Sequence, residues 1–249
     1  MEQLHNGKTL VLDGDFAYFG LYPQTHVSDL NLIKSLNAIA EPESNGWYLF
    51  DGKYYAKVTA KPHHADYKYR DGSLIKKSAI GPFFHKKTIP ADWFLCESIK
   101  WRALKKENDV AYLLSDLLLD AHSFDLHSND FDNTEIKSWL NGAFKKHAFL
   151  GYEDSIIGDV LLPSKEDMQN VSFGFDSDES RKAKLTDWAL ANGASQNNGY
   201  GWYYTGTSSS GASDVWCINN VGLLSSCYVC GNSVKYDGGV RPLLRVQLP

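Results

Sequence analysis

Cys227-Tyr228-Val229-Cys230 is the sharpest chemical pattern in the chain. A C-x-x-C pair can lower one thiol's pKa and support redox work. The spacing specifies little by itself, and two small residues on a short strand satisfy it equally well. His63-His64, with Asp66 nearby, could start a metal site. Neighbouring strand positions point to opposite faces and cannot both ligate one ion without a turn, so a solvated loop is the expectation. His122 and His127 stand five apart around Phe124-Asp125, which fits no metalloprotease helix spacing. A buried, hydrogen-bonded histidine is expected at His122. Asp176-Ser177-Asp178-Glu179 begins like a calcium loop but lacks the glycine and distal glutamate of an EF-hand, and reads as a turn and helix cap. Gly206-Thr207-Ser208-Ser209-Ser210-Gly211 does not make G-x-S-x-G, and no strand-to-helix elbow follows. No catalytic residue, metal or cofactor is therefore expected.

A binding surface is the stronger signal. From Tyr200 to Gly238 the one Lys, Arg or Glu is Lys235, among six Gly, seven Ser and seven Tyr or Trp. Rigid rings beside small adaptable polar groups match the composition of evolved binding surfaces. A Gly/Ser-rich β-region whose rings are core would share that composition. In a strand Asp214, Trp216 and Ile218 share one face and Ser213, Val215 and Cys217 the other. The candidate ligand contacts are Trp216, Asn220, Ser226, Tyr228, Asn232 and Tyr236, with the rings of Trp216, Tyr228 and Tyr236 expected to be substantially exposed.

The elements that must carry these residues are short strands with a few helices, an α+β pattern without long βαβ alternation. Thr9 to Gln24 reads as strand broken at Asp13-Gly14, and Val27 to Ala40 as a helix capped by Ser28. Asp51-Gly52 marks a hairpin between Trp47 to Phe50 and Lys53 to Thr59. A second hairpin joins Trp93 to Leu104 and Val110 to Leu114. Asp132 to Lys146 places Ile136, Trp139, Leu140 and Phe144 on one helical face. Ser164 with Asp167 caps a short helix, and another runs from Ser180 to Ala191. Strand, turn and strand follow over Ala212 to Ile218, Asn219 to Gly222 and Leu223 to Val229, and Val240 to Leu248 closes the sheet.

With 249 residues the chain buries enough surface to need neither metal nor disulfide, and no domain boundary is visible. A net charge of −5 offers no field to recruit a phosphate backbone, so nucleic acid is not an expected partner. No run of 18 apolar residues occurs, and Met1 to Asp15 lacks the regions of a signal peptide. The expectation is no membrane insertion and a cytoplasmic or virion-associated location. The four cysteines, Cys96, Cys217, Cys227 and Cys230, are expected to be mostly reduced thiols.

Six blocks in order carry a family resemblance. Phe19-Gly20-Leu21-Tyr22-Pro23-Gln24 resembles the FGxYPQ opening of a widespread bacterial domain family of unknown function, DUF6273. Ile99 to Leu104 is similar to its PIxWRVL strand, and Ala111 to Asp125 to its LLLSDxxLDAHxFD block. Ser138-Trp139-Leu140-Asn141, Val160 to Ser164 with Glu166, and Gly239-Val240-Arg241-Pro242-Leu243-Leu244 resemble the WLN helix, the following strand and the closing GVRPAL. The resemblance implies a C-type lectin-like fold of the type shared by formylglycine-generating enzymes and the variable proteins of diversity-generating retroelements. It implies one domain over 1–249, with 28–90 an N-terminal helix and hairpin elaboration and 200–249 the variable, ligand-binding segment and closing strand.

Fold does not carry function. The catalytic cysteine pair of formylglycine-generating enzymes has more residues between its members than Cys227 and Cys230, and a longer run to the closing strand. From Leu223 to Asp237 every residue except Lys235 is reachable by randomising the adenines of Asn codons, the mutagenesis that retroelements direct at this segment. The function expected is a noncatalytic ligand-binding or display module, with an unidentified protein or glycan ligand. A thiol-dependent oxidase related to formylglycine-generating enzymes and a structural interaction domain are the alternatives.

Overall fold

The computed structural model describes residues 7, 9–44, 46–61, 68–75, 91–211, 213–229 and 238–248. In chain order the strands are β1 (Val11–Asp13), β2 (Phe16–His26), β3 (Tyr48–Phe50), β4 (Lys53–Val58), β5 (Asp92–Glu107), β6 (Val110–Ser115), β7 (Asp120–His122), β8 (Ala183–Lys184), β9 (Gln196–Asn197), β10 (Tyr200–Gly201), β11 (Tyr203–Ser208), β12 (Asp214–Ile218), β13 (Leu224–Tyr228), β14 (Gly238–Val240) and β15 (Leu243–Gln247). Short helices lie between them: α1 (Leu30–Leu36), α2 (Glu135–Trp139), α3 (Lys145–Ala148), α4 (Asp178–Arg181) and α5 (Asp187–Ala191). The architecture is α+β with mostly antiparallel sheets.

Strand β5 organises the first sheet. Its flank is antiparallel to β2, its first residues also pair with β4, and its last with β6. Two-residue turns set both hairpins. Asp51 and Gly52 have positive φ, as do Asn108 and Asp109, the backbone a type I′ turn requires. The second hairpin is thus tighter than its sequence implies, with β5 running through Lys105, Lys106 and Glu107. Strand β2 shifts register between Tyr18 and Leu21, where Gly20 has φ 78° and the Phe149 ring fills the space a Cβ would need.

The second sheet runs β13-β12-β11-β14-β7, and the β11–β14 pair is its parallel one. Closure at the C-terminus departs from the single strand expected over Val240 to Leu248. Val240 pairs with Asp120 in the second sheet, whereas Leu243 to Gln247 pair with β6 in the first. The chain crosses at Arg241-Pro242, where proline has no N–H for a ladder. The Arg241 guanidinium, 1% exposed, donates from Nε to Ser115 O at 2.9 Å and from Nη1 to the Tyr203 hydroxyl at 2.9 Å. The other flank of β15 bridges Ile156 and Leu161, so it is an interior strand. One core cluster takes Phe19, Trp101 and Leu244 from the first sheet and Tyr204, Val215 and Val240 from the second.

Three helices differ from expectation because side chains intervene. Asp29, not Ser28, caps α1 by accepting from Asn31 and Leu32 N–H, and the helix ends at Leu36. Between α2 and α3 a π turn spans Leu140–Phe144, keeping Ile136, Leu140 and Phe144 buried while Asn141 exchanges hydrogen bonds with Val160. The helix expected over Ser180 to Ala191 is broken by β8, because Leu118 N–H donates to Lys184 O and Thr186 N–H to Leu118 O. The Ser164–Asp167 cap forms as expected, with reciprocal side-chain to backbone bonds of 2.8 and 3.0 Å.

Deleting Gly239 to Pro249 should abolish the cooperative melt, since Leu244 and Val246 leave the core together with the β6 ladder. A soluble truncation melting like the full chain would refute the interior position of β15.

Candidate functional site

The β12–β13 ribbon is paired over Asp214↔Tyr228, Val215↔Cys227, Trp216↔Ser226, Cys217↔Ser225 and Ile218↔Leu224. Alternation therefore places Asp214, Trp216, Ser226 and Tyr228 on one face. The opposite face holds Val215 and Cys217 in the interior. On the outer face Tyr228 is 58% exposed and Ser226 is exposed. Trp216 is half-buried rather than substantially exposed, because the Lys165 ammonium lies 3.8 Å from its ring centroid. Lys165 is itself held by its N–H, which donates to Thr207 Oγ1 at 2.9 Å. Asn129 Nδ2 donates to Gly211 O and Asp214 O, fixing the β11–β12 connection beside this face.

The ribbon turn is built by Asn219, whose Oδ1 accepts from Val221 and Leu223 N–H at 3.0 Å each. Gly222 has φ 88°, and a Cβ there would overlap the Asp178 carbonyl. Arg181 Nε donates to Gly222 O at 2.9 Å, docking the turn on α4. Asn220 sits in this turn, at the far end of the ribbon from Tyr228 and roughly 13 Å along the strands. The structure therefore unites Trp216, Ser226 and Tyr228 and leaves Asn220 apart. Asn232 and Tyr236 lie outside the described residues. Asp214 and Lys165 complete the face. Strand alternation points to Asp214, whereas nothing in the sequence brings Lys165 to Trp216.

The cysteines correct an expectation. Cys217 and Cys227 form a disulfide between neighbouring strands, with Cα atoms 6.1 Å apart, instead of remaining reduced. Cys227 thus has its partner across the ladder, and Cys230 lies outside the described residues. Cys96 is free and buried, and desolvation pushes its thiol well above the usual range.

The remaining sequence candidates resolve locally. His63, His64 and Asp66 lie outside the described residues. His122 is half-buried, with Nδ1 2.7 Å from Ser123 O and its ring 5.0 Å from Trp139. His127 is exposed, and Asp125 accepts from the N–H groups of His127, Ser128 and Glu135. Ser177 and Ser180 form a capping box on α4, and Gly206 lies within β11, with no elbow. Among the described residues no group of three His, Cys, Asp or Glu could hold a metal ion, and no helix is long and apolar enough to cross a membrane.

One constellation was not visible in the sequence. His26 Nδ1 is 2.9 Å from Asp71 Oδ2 and 3.2 Å from Ser73 Oγ. These are the residue types of a hydrolytic triad, but such a triad places carboxylate and hydroxyl on opposite ring nitrogens. Here both meet one nitrogen, Ser73 Oγ also contacts Asp71 Oδ1 at 2.5 Å, and the ring stacks on Tyr69 at 4.1 Å. Buried Asp187 accepts from His26 N–H and Arg70 N–H, so the group works as a latch for residues 68–75. A cleft of about 360 Å³ opens beside α1 and the β4–β5 pair, but Trp93 Nε1 is already bonded to Asn37 and Lys57 Nζ sits over the Trp93 ring.

No family model, curated protein or solved structure matches the chain.

Two outcomes follow from these sites. A non-reducing peptide map should link the Cys217 and Cys227 peptides and leave Cys96 free. Replacing Cys217 and Cys227 by Ser should cost about 2 to 3 kcal/mol for a loop of this length, read by denaturant melts. Partial burial alone would raise the Asp71 carboxyl, but bonds from Ser73 and His26 hold it well below the carboxylate range. A depressed folded pKa gives stability that is present above the unfolded value and lost as pH falls through the folded one. The 68–75 latch should hold at neutral pH and open only in strong acid, as hydrogen exchange at Arg70 and Ser73 would show. Asp71→Asn should open it at all pH values.

Proposed function

We propose that the protein is a noncatalytic ligand-binding or display module of C-type lectin-like fold, and that the outer face of the β12–β13 ribbon binds a protein or glycan ligand. The observation that carries this reading is the register, which sets Trp216 opposite Ser226 and Asp214 opposite Tyr228 on one outward face. A ring pinned by Lys165 next to an exposed ring offers area at little entropic cost, and Asp214 and Ser226 supply polar contacts between them. Among the described residues strand β13 lies at the edge of its sheet, where its outward side chains Ser226 and Tyr228 change without disturbing a core. That suits the finer reading of a variable protein of a diversity-generating retroelement. A reverse transcriptase gene beside this one, with an imperfect copy of the 3′ end, would support that reading, and a neighbourhood without either would remove it.

Alanine variants test the face. Tyr228→Ala and Ser226→Ala should stay within about 0.5 kcal/mol of wild type in a denaturant melt. Trp216→Ala should lose about 2 to 3 kcal/mol, between the surface and core variants, because a partly buried ring and its Lys165 contact are removed. Trp101→Ala, a core control, should lose roughly 3 to 5 kcal/mol. Ligands that a printed glycan and protein array retains on wild type should be lost from Trp216→Ala and Tyr228→Ala. Core-sized destabilisation at Tyr228, or retention of every ligand by both variants, would overturn the proposal.

A further inference from the structure

We propose that the Cys217–Cys227 disulfide is a redox clasp that holds the ligand face together, so that a dithiol reductant releases β13 from β12 while the rest of the fold stays intact. The effect on binding rests on the reading of the ribbon given above; the clasp does not.

Strand β13 is attached with little burial. None of the five side chains from Leu224 to Tyr228 is buried, whereas its partner β12 buries Val215, Cys217 and Ile218. With little apolar area removed from water, the strand draws little hydrophobic stabilisation. What holds it is the ladder to β12, the turn docked on α4, the buried Val229 that follows, and the disulfide. The disulfide is the one covalent bond among these. It lies on the other side of the ribbon, running diagonally behind the Trp216–Ser226 pair from Cys217 to Cys227, so it ties together the strands that carry the outer face.

The two sulfurs are not equivalent. Cys217 is buried and Cys227 is half-buried, so Cys227 is the more accessible of the two to an external thiolate. Ser225 Oγ lies 3.7 Å from Cys217 Sγ, and in the disulfide the sulfur has no hydrogen, so the hydroxyl is the donor. Attack of a dithiol's thiolate on Cys227 Sγ forms a mixed disulfide and breaks the Cys217–Cys227 bond. The electron pair leaves on Cys217 Sγ, where the Ser225 hydroxyl stabilises the thiolate until it takes a proton from solvent. The second thiol of the reductant then attacks its own mixed-disulfide sulfur, and Cys227 leaves as a thiolate. Two electrons pass to the protein, which gains two thiols, and the dithiol becomes a disulfide. Ser225 touches the leaving sulfur itself, placed by its register opposite Cys217.

The experiment is hydrogen exchange on the full chain in defined dithiol and disulfide buffers, with the peptide covering 223–229 compared with that covering β6. Reduction should speed exchange in 223–229 by about tenfold or more and change β6 by less than twofold. The double variant Cys217→Ser with Cys227→Ser should show the fast rate in either buffer. Cys230→Ser should keep the wild-type response. Ser225→Ala should form the disulfide and melt like wild type when oxidised, yet be reduced several-fold more slowly. Unchanged exchange on reduction, simultaneous loss of protection in β6, or a Cys230→Ser variant without the response would each overturn the clasp. The same samples on the printed array separate the two readings. Equal binding by oxidised and reduced protein would show that the clasp does not govern the face. An array that retains nothing in either state would count against the binding face, while the exchange data still decide the clasp.

Discussion

The buried guanidinium of Arg241 is the constraint on which the two sheets depend. It stands where the chain leaves β14 in the second sheet and enters β15 in the first, and it bonds to Ser115 O at the end of β6, to the Tyr203 hydroxyl of β11 and to Arg181 O of α4. A charge this deep needs all its donors engaged. Carbonyl oxygens, a hydroxyl and the faces of Tyr203 and Phe175 solvate it, with ring centroids 5.3 and 6.0 Å away. The consequence reaches Arg102, which is held below its usual value by burial and then by the nearby positive charge of Arg241. Three elements are thereby fixed around one side chain, and α4 in turn supports the β12–β13 turn through Arg181 and Gly222.

A second buried charge lies close to the same crossing, because Asp120 is the ladder partner of Val240. Asp120 accepts from the Tyr22 hydroxyl at 2.5 Å, from Trp188 Nε1 at 3.0 Å and from Ala121 N–H at 2.8 Å. Burial raises its carboxyl, and the three donors oppose that rise. Strand β7, helix α5 and strand β2 meet at this group, so the second sheet is anchored at β7, while β13 at its other end buries none of its residues. The candidate binding face thus occupies the least buried strand of a sheet whose other end is locked. That contrast gives an adaptable surface on a rigid support.

Much of the local structure was legible. The Asp51-Gly52 hairpin, the Ser164–Asp167 cap and the strand, turn and strand around Asn219 to Gly222 depend on residues two to four apart, where backbone sterics and short side-chain bonds decide. The alternation that sets Asp214 and Trp216 against Val215 and Cys217 is equally local, but it fails at Ile218, which shares their side of the strand and is buried. The broken helix after Ser180 and the split closing strand were not legible. Leu118 captures the backbone of Lys184 and Thr186 from 66 and 68 positions away, and Arg241 reaches Ser115 across 126.

By itself the sequence determined the α+β class, the hairpin turns, the composition of the ribbon and which of its residues share a face, because all of these follow from periodicity and nearest neighbours. Tertiary structure alone decided that Cys227 bonds to Cys217, that Lys165 covers Trp216 and that Asn220 stands apart from Tyr228. The pairing of Cys227 and the cover over Trp216 join side chains from different strands or loops, and the separation of Asn220 follows from strand length. Composition carries no information about which distant surfaces meet when burial of the shared core brings the sheets together.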